Sequence, residues 1–466
     1  MELKSVDTIY FLGIGGIGMS ALARYFVAQA YRVLGYDRTP SPLTRELEQE
    51  GVTVEYADDC SLVASLDPAR TLVVRTPAVP DEQAQYAWLR AHHYRIMKRA
   101  EVLGWLTQMS RSLCVAGTHG KTTTSTLLAH LLHSSQLGCS AFLGGISNNY
   151  NSNLLIDTQT DLVVAEADEY DRSFHHLRPY MSVITSMDAD HLDIYGTEDN
   201  YRASFAHYAS LVTHSLVVKR GLCLDASALQ ARVYTYAVEE QADFAAHNVR
   251  YDNGVILFDF YALGSWIRDM RLTIPVWVNV ENSVAALAIG YLLGMTADEM
   301  RHGLASFAGV YRRFNMHLNT PQVSYIDDYA HHPEELRASI ESVRHLFPER
   351  RLLVVFQPHL YSRTRDFAQG FAQVLSRADA LFLLPIYPAR ELPIEGVTSD
   401  WLLSLLPSTD LQAQVVEKAQ LVDSIGQIVR HWQDNGLPSV VMTLGAGDID
   451  RLVQDIKQNL TIYEQD

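Results

Sequence analysis

Short apolar runs alternate with longer amphipathic segments along most of the chain. The apolar runs are rich in valine, leucine and isoleucine, which is typical of strands buried on both faces of a parallel sheet. The segments between them have the spacing of surface helices. The alternation predicts an α/β fold, in which ligands bind where the strands end. The predicted strands are residues 8–12, 32–36, 52–56, 71–74, 113–116, 140–145, 162–165, 182–185, 323–326, 352–356, 380–384 and 439–444.

The chain has 466 residues, more than one ordinary hydrophobic core supports, and we predict three domains. Residues 1–106 are predicted to form a Rossmann-like domain. Residues 107–309 are predicted to form a central domain with the parallel sheet of a phosphate-loop ATPase, and residues 310–466 a second Rossmann-like α/β domain. Residues 81–106 have one polar face and are predicted to be helical, with a strand–helix junction at residues 98–101 before the next domain. Residues 146–153 are predicted to be a loop.

A phosphate-binding loop is predicted between the strand 113–116 and the helix that follows it. Glycines let backbone N–H groups approach phosphate oxygens, and the helix start adds the positive end of its dipole. The residues assigned to nucleotide phosphates are Gly117, Thr118, His119, Gly120, Lys121, Thr122 and Thr123. We expect Lys121 to be an exposed catalytic lysine, so that Lys121→Ala abolishes most turnover and leaves the fold intact. A chance string in a turn is the alternative interpretation.

A second glycine-rich turn follows the first strand and has the spacing of a dinucleotide-binding unit. Gly13, Gly15, Gly16 and Gly18 lead into a helix, and Asp37 ends the next strand, where an acid binds a ribose hydroxyl. The pattern favours phosphate binding. A turn needed only for close packing of helix on sheet is the alternative, and a nicotinamide-dependent oxidoreductase is the alternative function.

Two more predicted strands end in acidic residues, at Glu166 to Asp171 and at Asp188 to Asp193. Carboxylate and hydroxyl oxygens are the ligands that Mg²⁺ prefers, and an imidazole can complete a second metal site. We therefore assign Thr122, Glu166 and His191 as metal ligands, and Lys121, Glu166 and His191 as the catalytic group. A solvated loop and a histidine that caps a strand are the alternatives.

Polar residues also follow the predicted strands of the last domain. Arg312 and Arg313 can clamp a phosphate, or they can form surface ion pairs. Asp328 and the histidines after it lie where a strand passes into a helix. Asn282, in the first turns of an earlier helix, can bind the edge of a base, although a plain helix start is equally compatible with its position.

Composition limits the classes of function. The net charge of −17 argues against a nucleic-acid partner, since phosphate backbones bind basic surfaces. The four cysteines are scattered without a C-x-x-C pair, which favours a reducing compartment over a disulfide framework or a zinc site. The sequence shows neither a signal peptide nor an apolar run of membrane-spanning length. We expect a cytoplasmic protein without a membrane partner.

Taken in order, these motifs resemble the Mur ligase family of peptidoglycan synthesis, and the resemblance covers nearly the whole chain. The motifs that carry it are Gly13–Ser20, Gly117–Thr122, Glu166–Glu169, Asp188–Asp193, Asp327–Pro333 and Gln357–Arg363. The resemblance implies an ATP-dependent ligase with one domain for a UDP-sugar, one for ATP and one that completes the amino-acid site. The implied reaction joins L-alanine to the lactyl carboxylate of UDP-N-acetylmuramate through an acyl phosphate. Attachment of a preformed peptide to the same sugar is the alternative within the family, and a nucleotide-gated binding protein without ligase chemistry is an alternative of another class.

The resemblance also implies roles for individual residues. By analogy, Gly15, Gly16, Ile17 and Gly18 face the UDP diphosphate, and Asp37 and Thr76 lie near the uridine end. Glu166 and His191 hold two magnesium ions. ATP contacts beyond the loop come from Asn282, Arg312, Arg313, Asp328 and His331, and amino-acid contacts from His332, His359, Tyr361 and Arg363. In the family the adenine-side helix begins Gly-x-His-Asn, and the matching run here is Val276-Trp-Val-Asn279.

Overall fold

The computed structural model describes residues 5–188, 192–252, 254–389, 391–407 and 411–462. These residues build three sheets, each covered by helices, so the chain has the three-domain α/β architecture that its pattern predicts. By contacts it divides into two compact units, one holding the first two sheets and the other the third. The predicted domain boundaries stay a prediction. No helix in the described ranges is long and apolar enough to cross a membrane.

The N-terminal domain is a five-stranded parallel sheet in the order β3-β2-β1-β4-β5. Strand β1 has β2 on one side and β4 on the other, so the chain segments after β1 and β4 meet at one edge. Its elements are β1 (Thr8–Leu12), α1 (Ile17–Ala28), β2 (Arg32–Tyr36), α2 (Pro42–Gln49), β3 (Thr53–Glu55), α3 (Ser61–Ala64), β4 (Thr71–Arg75), α4 (Ala84–Ala91), β5 (Arg95–Lys98) and α5 (Arg99–Gln108).

The helical segment predicted over residues 81–106 is interrupted, because strand β5 divides it into α4 and α5, and the predicted strand–helix junction at residues 98–101 lies where β5 passes into α5. Helix α4 stops at His92, and His93 takes a left-handed conformation with φ 58°. The chain then runs as an edge strand beside β4. A four-residue strand with half-exposed residues has too weak an alternation to stand out from a polar helical pattern.

The central domain contains ten strands in the order β15-β14-β13-β12-β11-β10-β6-β9-β7-β8. The neighbours of β6 pair with it in parallel, but β7 and β8 are antiparallel, so the central sheet is mixed and not parallel throughout as predicted. Strand β8 lies partly in the segment predicted to be a loop. The elements are β6 (Arg111–Ala116), α6 (Lys121–His133), β7 (Ser140–Ser147), β8 (Ser152–Leu155), β9 (Leu162–Ala167), a 3₁₀ segment (Tyr170–His176), β10 (Met181–Ile184), α7 (Leu192–Tyr195), α8 (Glu198–Ser210), β11 (Ser215–Lys219), β12 (Arg232–Val238), β13 (Phe244–Asp252), β14 (Val255–Ala262), β15 (Ser265–Leu272), α9 (Trp277–Leu292) and α10 (Ala297–Ser306).

The C-terminal domain has six strands in the order β16-β17-β21-β18-β19-β20, parallel except for the β16–β17 pair. Apolar side chains cover both faces of this sheet, as expected for parallel strands. The elements are β16 (Asn315–Asn319), β17 (Val323–Asp328), α11 (Pro333–Leu346), β18 (Arg351–Phe356), α12 (Tyr361–Asp366), α13 (Ala368–Leu375), β19 (Ala380–Leu383), α14 (Ser399–Ser404), β20 (Gln412–Val415), α15 (Lys418–Asp434), β21 (Ser439–Leu444), a 3₁₀ segment (Asp448–Leu452) and α16 (Val453–Ile462).

The first two domains share one continuous hydrophobic core, and helix α1 packs directly on strands β7 and β8. Polar contacts fix the same interface. The Asn153 amide donates to the Ile17 carbonyl oxygen at 2.6 Å and to the Ser20 hydroxyl at 2.9 Å. The Arg24 guanidinium donates to the Asn153 carbonyl oxygen at 2.7 Å. The first glycine-rich turn is therefore held in a defined position relative to the central sheet.

Candidate active site

The loop predicted to bind phosphate lies between β6 and α6, and two of its glycines are required by geometry, while phosphate binding itself stays a prediction. Gly117 has φ 140° and Gly120 has φ 80°, conformations that L side chains rarely adopt. A Cβ on Gly117 would lie 2.0 Å from the Thr185 hydroxyl oxygen, and one on Gly120 would lie 2.7 Å from the Asn282 amide oxygen. Because Gly120 has no side chain to cap helix α6, the first N–H groups of that helix face outward for an anion.

Contacts with the segment after β10 hold the loop in place. The Thr118 hydroxyl donates to the Asp188 carbonyl oxygen at 2.7 Å and lies 2.8 Å from the Tyr201 hydroxyl. The backbone N–H of His119 donates to the Ser186 hydroxyl oxygen at 2.8 Å. These hydrogen bonds fix the loop to the segment after β10 and to helix α8.

Lys121 is buried in an ion pair, which corrects the expectation that it is exposed. Its Nζ lies 2.7 Å from a carboxylate oxygen of Glu169, and the two side chains are 13% and 2% exposed. The ammonium also donates to the carbonyl oxygens of Gly117 at 2.7 Å and Thr118 at 3.2 Å. The lysine therefore neutralises an internal carboxylate and fastens the loop on which it stands.

Burial and charge compete at this pair. Burial lowers the pKa of Lys121, but the carboxylates of Glu169, Asp168 and Glu166 outweigh burial and raise it above its usual value. Burial raises the pKa of Glu169 to about 7, against the opposing effect of the Lys121 ammonium. Lys121 therefore stays charged at neutral pH, whereas the carboxyl of Glu169 titrates near neutral pH.

Glu166 ends strand β9 beside the phosphate loop. It pairs across the sheet with Val115 of β6, so its carboxylate lies at the same edge as Gly117. Gly144 leaves room for that carboxylate, since a Cβ there would lie 2.1 Å from a carboxylate oxygen of Glu166. Thr122, in the first turn of α6, is 8% exposed. The carboxylate of Glu166 and the hydroxyl of Thr122 are oxygen donors of the kind that suits Mg²⁺.

The third predicted metal ligand, His191, lies outside the described residues. In the described part of the chain, no group of three or more histidine, cysteine, aspartate or glutamate side chains is arranged to hold a metal ion. The metal set of Thr122, Glu166 and His191 stays a prediction, and the donor types of Thr122 and Glu166 are compatible with it.

Asn282 contacts the phosphate loop directly. Its side-chain oxygen accepts from the Thr124 hydroxyl at 3.1 Å, and the side chain is 5% exposed. It also lies against Gly120. Asn282 therefore lies directly beside the residues that are assigned to nucleotide phosphates. Its predicted contact with ATP is compatible with this position and stays a prediction.

The glycine-rich turn after β1 lies at the edge of the N-terminal sheet together with Asp37 and Thr76. The Gly15 backbone N–H donates to an Asp37 carboxylate oxygen at 2.7 Å. A Cβ on Gly13, which has φ 84°, would lie 2.5 Å from the Thr76 methyl carbon. Gly16 is the residue before helix α1, and Ile17 and Gly18 form its first turn. The predicted UDP-sugar residues are thus brought together, with Asp37 bonded to the turn.

Arg312 is committed to the internal architecture of the C-terminal domain. Its guanidinium donates to the carbonyl oxygens of Gly445 at 2.6 Å and Gly447 at 3.3 Å and lies 3.5 Å from Asp327. The neighbouring Arg313 stacks on the Tyr329 ring at 5.0 Å from its centre. Binding of ATP by both arginines stays a prediction, and for Arg312 these contacts supply a structural role as well.

Asp328 and two histidines lie at the edge of the C-terminal sheet. Asp328 bonds to the Ser339 hydroxyl, and burial raises its pKa to about 6. Burial lowers the pKa of His331 to about 4, so its ring is neutral at pH 7, with Nδ1 3.0 Å from the Tyr329 carbonyl oxygen. The ring centres of His331 and His359 are 6.2 Å apart. His331 and His359 are therefore neighbours, as their common edge predicts.

The other predicted amino-acid residues lie at helix starts. His332 caps helix α11, with Nδ1 accepting from the Glu334 N–H at 3.4 Å. Tyr361 begins helix α12, after Leu360 with φ 69°, and Arg363 is in the same helix. Their roles stay predictions.

Two residues with evident roles were not among the predicted site residues. Glu169 is the partner of Lys121, and its place in the acidic run after β9 was the available signal. Arg99 lies against Gly18 in the first turn of α1, since a Cβ on Gly18 would lie 2.9 Å from Arg99 Nη1. The sequence placed Arg99 only at a junction before the central domain.

The described geometry defines an α/β protein with a phosphate loop and acidic residues at one edge of its central sheet. Family models match three consecutive parts of the chain. They are "Mur ligase family, catalytic domain" at residues 8–111, "Mur ligase middle domain" at residues 115–290 and "Mur ligase, glutamate ligase domain" at residues 312–447.

Relatives match over nearly the full length. The UDP-N-acetylmuramate–L-alanine ligase of Porphyromonas gingivalis is 51% identical over 458 residues, covering 97% of this chain and 98% of that protein. The protein of the same name from Parabacteroides distasonis is 51% identical over 467 residues, covering 99% of this chain and 98% of its own. The crystal structure of the UDP-N-acetylmuramate–alanine ligase MurC of Thermotoga maritima covers 98% of this chain and 99% of its own, with a TM-score of 0.81 and 24% identity.

The chain belongs to the Mur ligase family, a family of ATP-dependent ligases. The fold likeness to the Thermotoga maritima structure agrees with this assignment. The resemblance inferred from the motifs is confirmed.

Proposed function

We propose that this protein joins L-alanine to the lactyl carboxylate of UDP-N-acetylmuramate, with ATP as the source of energy. The proposal rests on the phosphate loop with Lys121 and Glu166 at one sheet edge, in a chain half identical to relatives that carry this activity in their names. The UDP-sugar is assigned to the N-terminal domain, ATP to the central domain and the amino acid to the C-terminal domain. The reaction takes place in the bacterial cytoplasm, between small molecules.

In the first step the lactyl carboxylate attacks the γ-phosphorus of ATP, and ADP leaves with the electrons of the broken P–O bond. Both reactants are anions, so their approach needs positive charge and precise placement. The N–H groups at the start of α6 and the Lys121 ammonium provide that charge. In the second step the alanine amine attacks the acyl carbon, phosphate leaves, and the amine gives up a proton.

Mg²⁺ bound by Thr122, Glu166 and His191 would neutralise phosphate charge. Two ions are proposed, as the resemblance implies. The proton of the amine goes to a neutral base, and His191, His332 and His359 are the candidates from the sequence. Burial lowers the pKa of His331 to about 4, so its ring is neutral at pH 7 but is a weak base for this proton.

Lys121 must change partner during this cycle. Its Nζ is now shared by Glu169 and two loop carbonyl oxygens. A triphosphate on the loop would compete with Glu169 for the ammonium. Because the pKa of Glu169 is already raised to about 7, this carboxyl can take up a proton when the lysine turns to phosphate.

The decisive experiment measures ADP release by the full chain with Mg²⁺, and with each substrate omitted in turn. The proposal expects ADP only when ATP, UDP-N-acetylmuramate and L-alanine are all present, together with a UDP-linked product detected by mass spectrometry. Release with a preformed peptide but not with L-alanine would support the peptide-adding alternative. Membership of a ligase family leaves the oxidoreductase alternative without support, and a negative NADH titration would complete its exclusion.

A further inference from the structure

The first turn of helix α1 is approached by one cationic side chain. A Cβ on Gly18 would lie 2.9 Å from Nη1 and 3.2 Å from Cδ of Arg99, so the arginine stem and one end of its guanidinium lie against the helix start. The Arg99 side chain is 20% exposed. In the described residues its one ion-pair partner is Asp168, with Nη2 and a carboxylate oxygen 3.3 Å apart. Since a guanidinium has five N–H donors, several are left for another acceptor.

Two carboxylates, Asp37 and Asp168, lie at the glycine-rich turn and at its arginine. The Asp37 carboxylate already accepts the Gly15 N–H at 2.7 Å, which removes one backbone donor from the turn. The Asp168 carboxylate is the ion-pair partner of Arg99 itself. The N–H groups of Ile17 and Gly18, in the first turn of α1, have no acceptor within the helix. A diphosphate placed here would meet two carboxylates, and Arg99 is the group that can offset them.

We propose that Arg99 binds the diphosphate of the sugar nucleotide, acting together with the N–H groups of Ile17 and Gly18. This inference rests on the proposed function, which assigns the UDP-sugar to this turn. The single 3.3 Å contact with Asp168 keeps the guanidinium over the turn when the site is empty. A diphosphate offers a bidentate pair of oxygens, which match the planar fork of arginine better than one distant carboxylate oxygen. Arg99 thus supplies the cation that the glycine-rich turn lacks.

The test is direct binding of UDP-N-acetylmuramate and of UDP to the full-length protein by calorimetry, without ATP. In Arg99→Gln both affinities should fall by roughly tenfold to a hundredfold, because a hydrogen bond to a charged group is lost. Arg99→Lys keeps the charge but not the fork, and should give an intermediate loss. Binding of a non-hydrolysable ATP analogue should stay within about twofold of the unmodified protein, which also shows that the variants are folded.

Lys98 offers a matched control one residue away. It pairs with Asp171 at 3.2 Å, on the same segment that carries Asp168. Lys98→Gln changes the net charge by the same amount, and its effect on both ligands should stay within about threefold, since an exposed pair contributes little.

Three results would overturn the inference. They are unchanged affinities in Arg99→Gln, a loss for the UDP-sugar without a loss for UDP, and an equal loss in Lys98→Gln. If the unmodified protein binds neither UDP-N-acetylmuramate nor UDP, the proposed function fails rather than the role of Arg99.

Discussion

The Lys121–Glu169 pair predicts a stability effect that depends on pH, and the perturbation is Lys121→Met. Methionine keeps the apolar stem and removes the ammonium that lowers the pKa of Glu169. That pKa is about 7 with lysine present, and without lysine it rises further. Breaking a buried ion pair commonly costs about 3–5 kcal/mol, because a buried charge is left alone. Here Glu169 escapes most of that cost below neutral pH by taking up a proton.

The size of the stability loss follows from the pKa of Glu169 in the two folded proteins. The folded pKa of Glu169 lies above its usual 4.5 in the unmodified protein and higher still in the variant. The contribution of Glu169 to the free energy of unfolding therefore differs between the two proteins only above about pH 7, where the folded variant still keeps Glu169 protonated. The difference grows by up to about 1.4 kcal/mol per pH unit. We expect almost no loss of stability from this carboxyl at about pH 6 and about 2 kcal/mol at about pH 8.5.

The assay is equilibrium urea unfolding at both pH values, with ADP release measured in parallel. Glu169→Gln in the same chain removes the titrating group, so the double variant should lose the pH dependence and regain most of the stability. It should not regain turnover, because the ammonium that is proposed to turn to the phosphate is still missing. If Lys121→Met already loses, at about pH 6, the full ~3–5 kcal/mol of stability expected for a broken buried pair, Glu169 stays ionised without lysine. If the double variant is active, Lys121 has no part in the chemistry.

Three further variants test separate parts of the site. Gly144→Ala places a Cβ 2.1 Å from a Glu166 carboxylate oxygen, so it should raise the Mg²⁺ concentration needed for half-maximal turnover about tenfold or more, and an unchanged Mg²⁺ titration would contradict the metal assignment. Asn282→Ala removes the acceptor of the Thr124 hydroxyl beside Gly120 and should weaken binding of an ATP analogue about tenfold, measured by calorimetry, with a smaller effect on UDP-sugar binding. Burial raises the pKa of Asp328 from 3.8 to about 6, so the folded state favours the protonated carboxyl. The stability that this protonation contributes is fully present below about pH 4 and is lost as the pH rises through about 6. Asp328→Asn should therefore flatten the melting temperature between these pH values and raise it at neutral pH, while ATP-dependent turnover falls, and an unchanged pH profile of melting would contradict the shift.

Local signals in the sequence were sufficient for the phosphate loop. Strand, glycines and helix are consecutive there, and the positive φ of Gly117 and Gly120 explains why glycine stands at both places. The burial of Lys121 could not be predicted in the same way, because it depends on pairing between β6 and β9, far apart in the chain. That pairing brings Glu169 to the lysine. Local sequence propensity cannot predict an ion pair that depends on which strands are neighbours in the sheet.

Strand prediction failed where burial is one-sided or weak. Strands β13 and β15 lie at one end of the central sheet, and exposed residues interrupt the buried ones along them, which obscures the apolar runs that marked the other strands. Strand β5 was predicted only in part, as the junction at residues 98–101, because its residues are half-exposed. Arg99 was missed as a consequence, since its position over Gly18 becomes visible only when β5 places the start of α5 beside helix α1.

Two consecutive acidic residues after β9 pair with cations at the two glycine-rich turns. Asp168 pairs with Arg99 beside the first glycine-rich turn, and Glu169 pairs with Lys121 in the phosphate loop. A buried cation without a partner would destabilise the empty protein, so each must be neutralised when no substrate is bound. The proposed substrates are anions that compete with these same carboxylates. Stability of the empty protein and affinity for substrate are therefore opposed at both positions, and replacing either acid by its amide should move them in opposite directions.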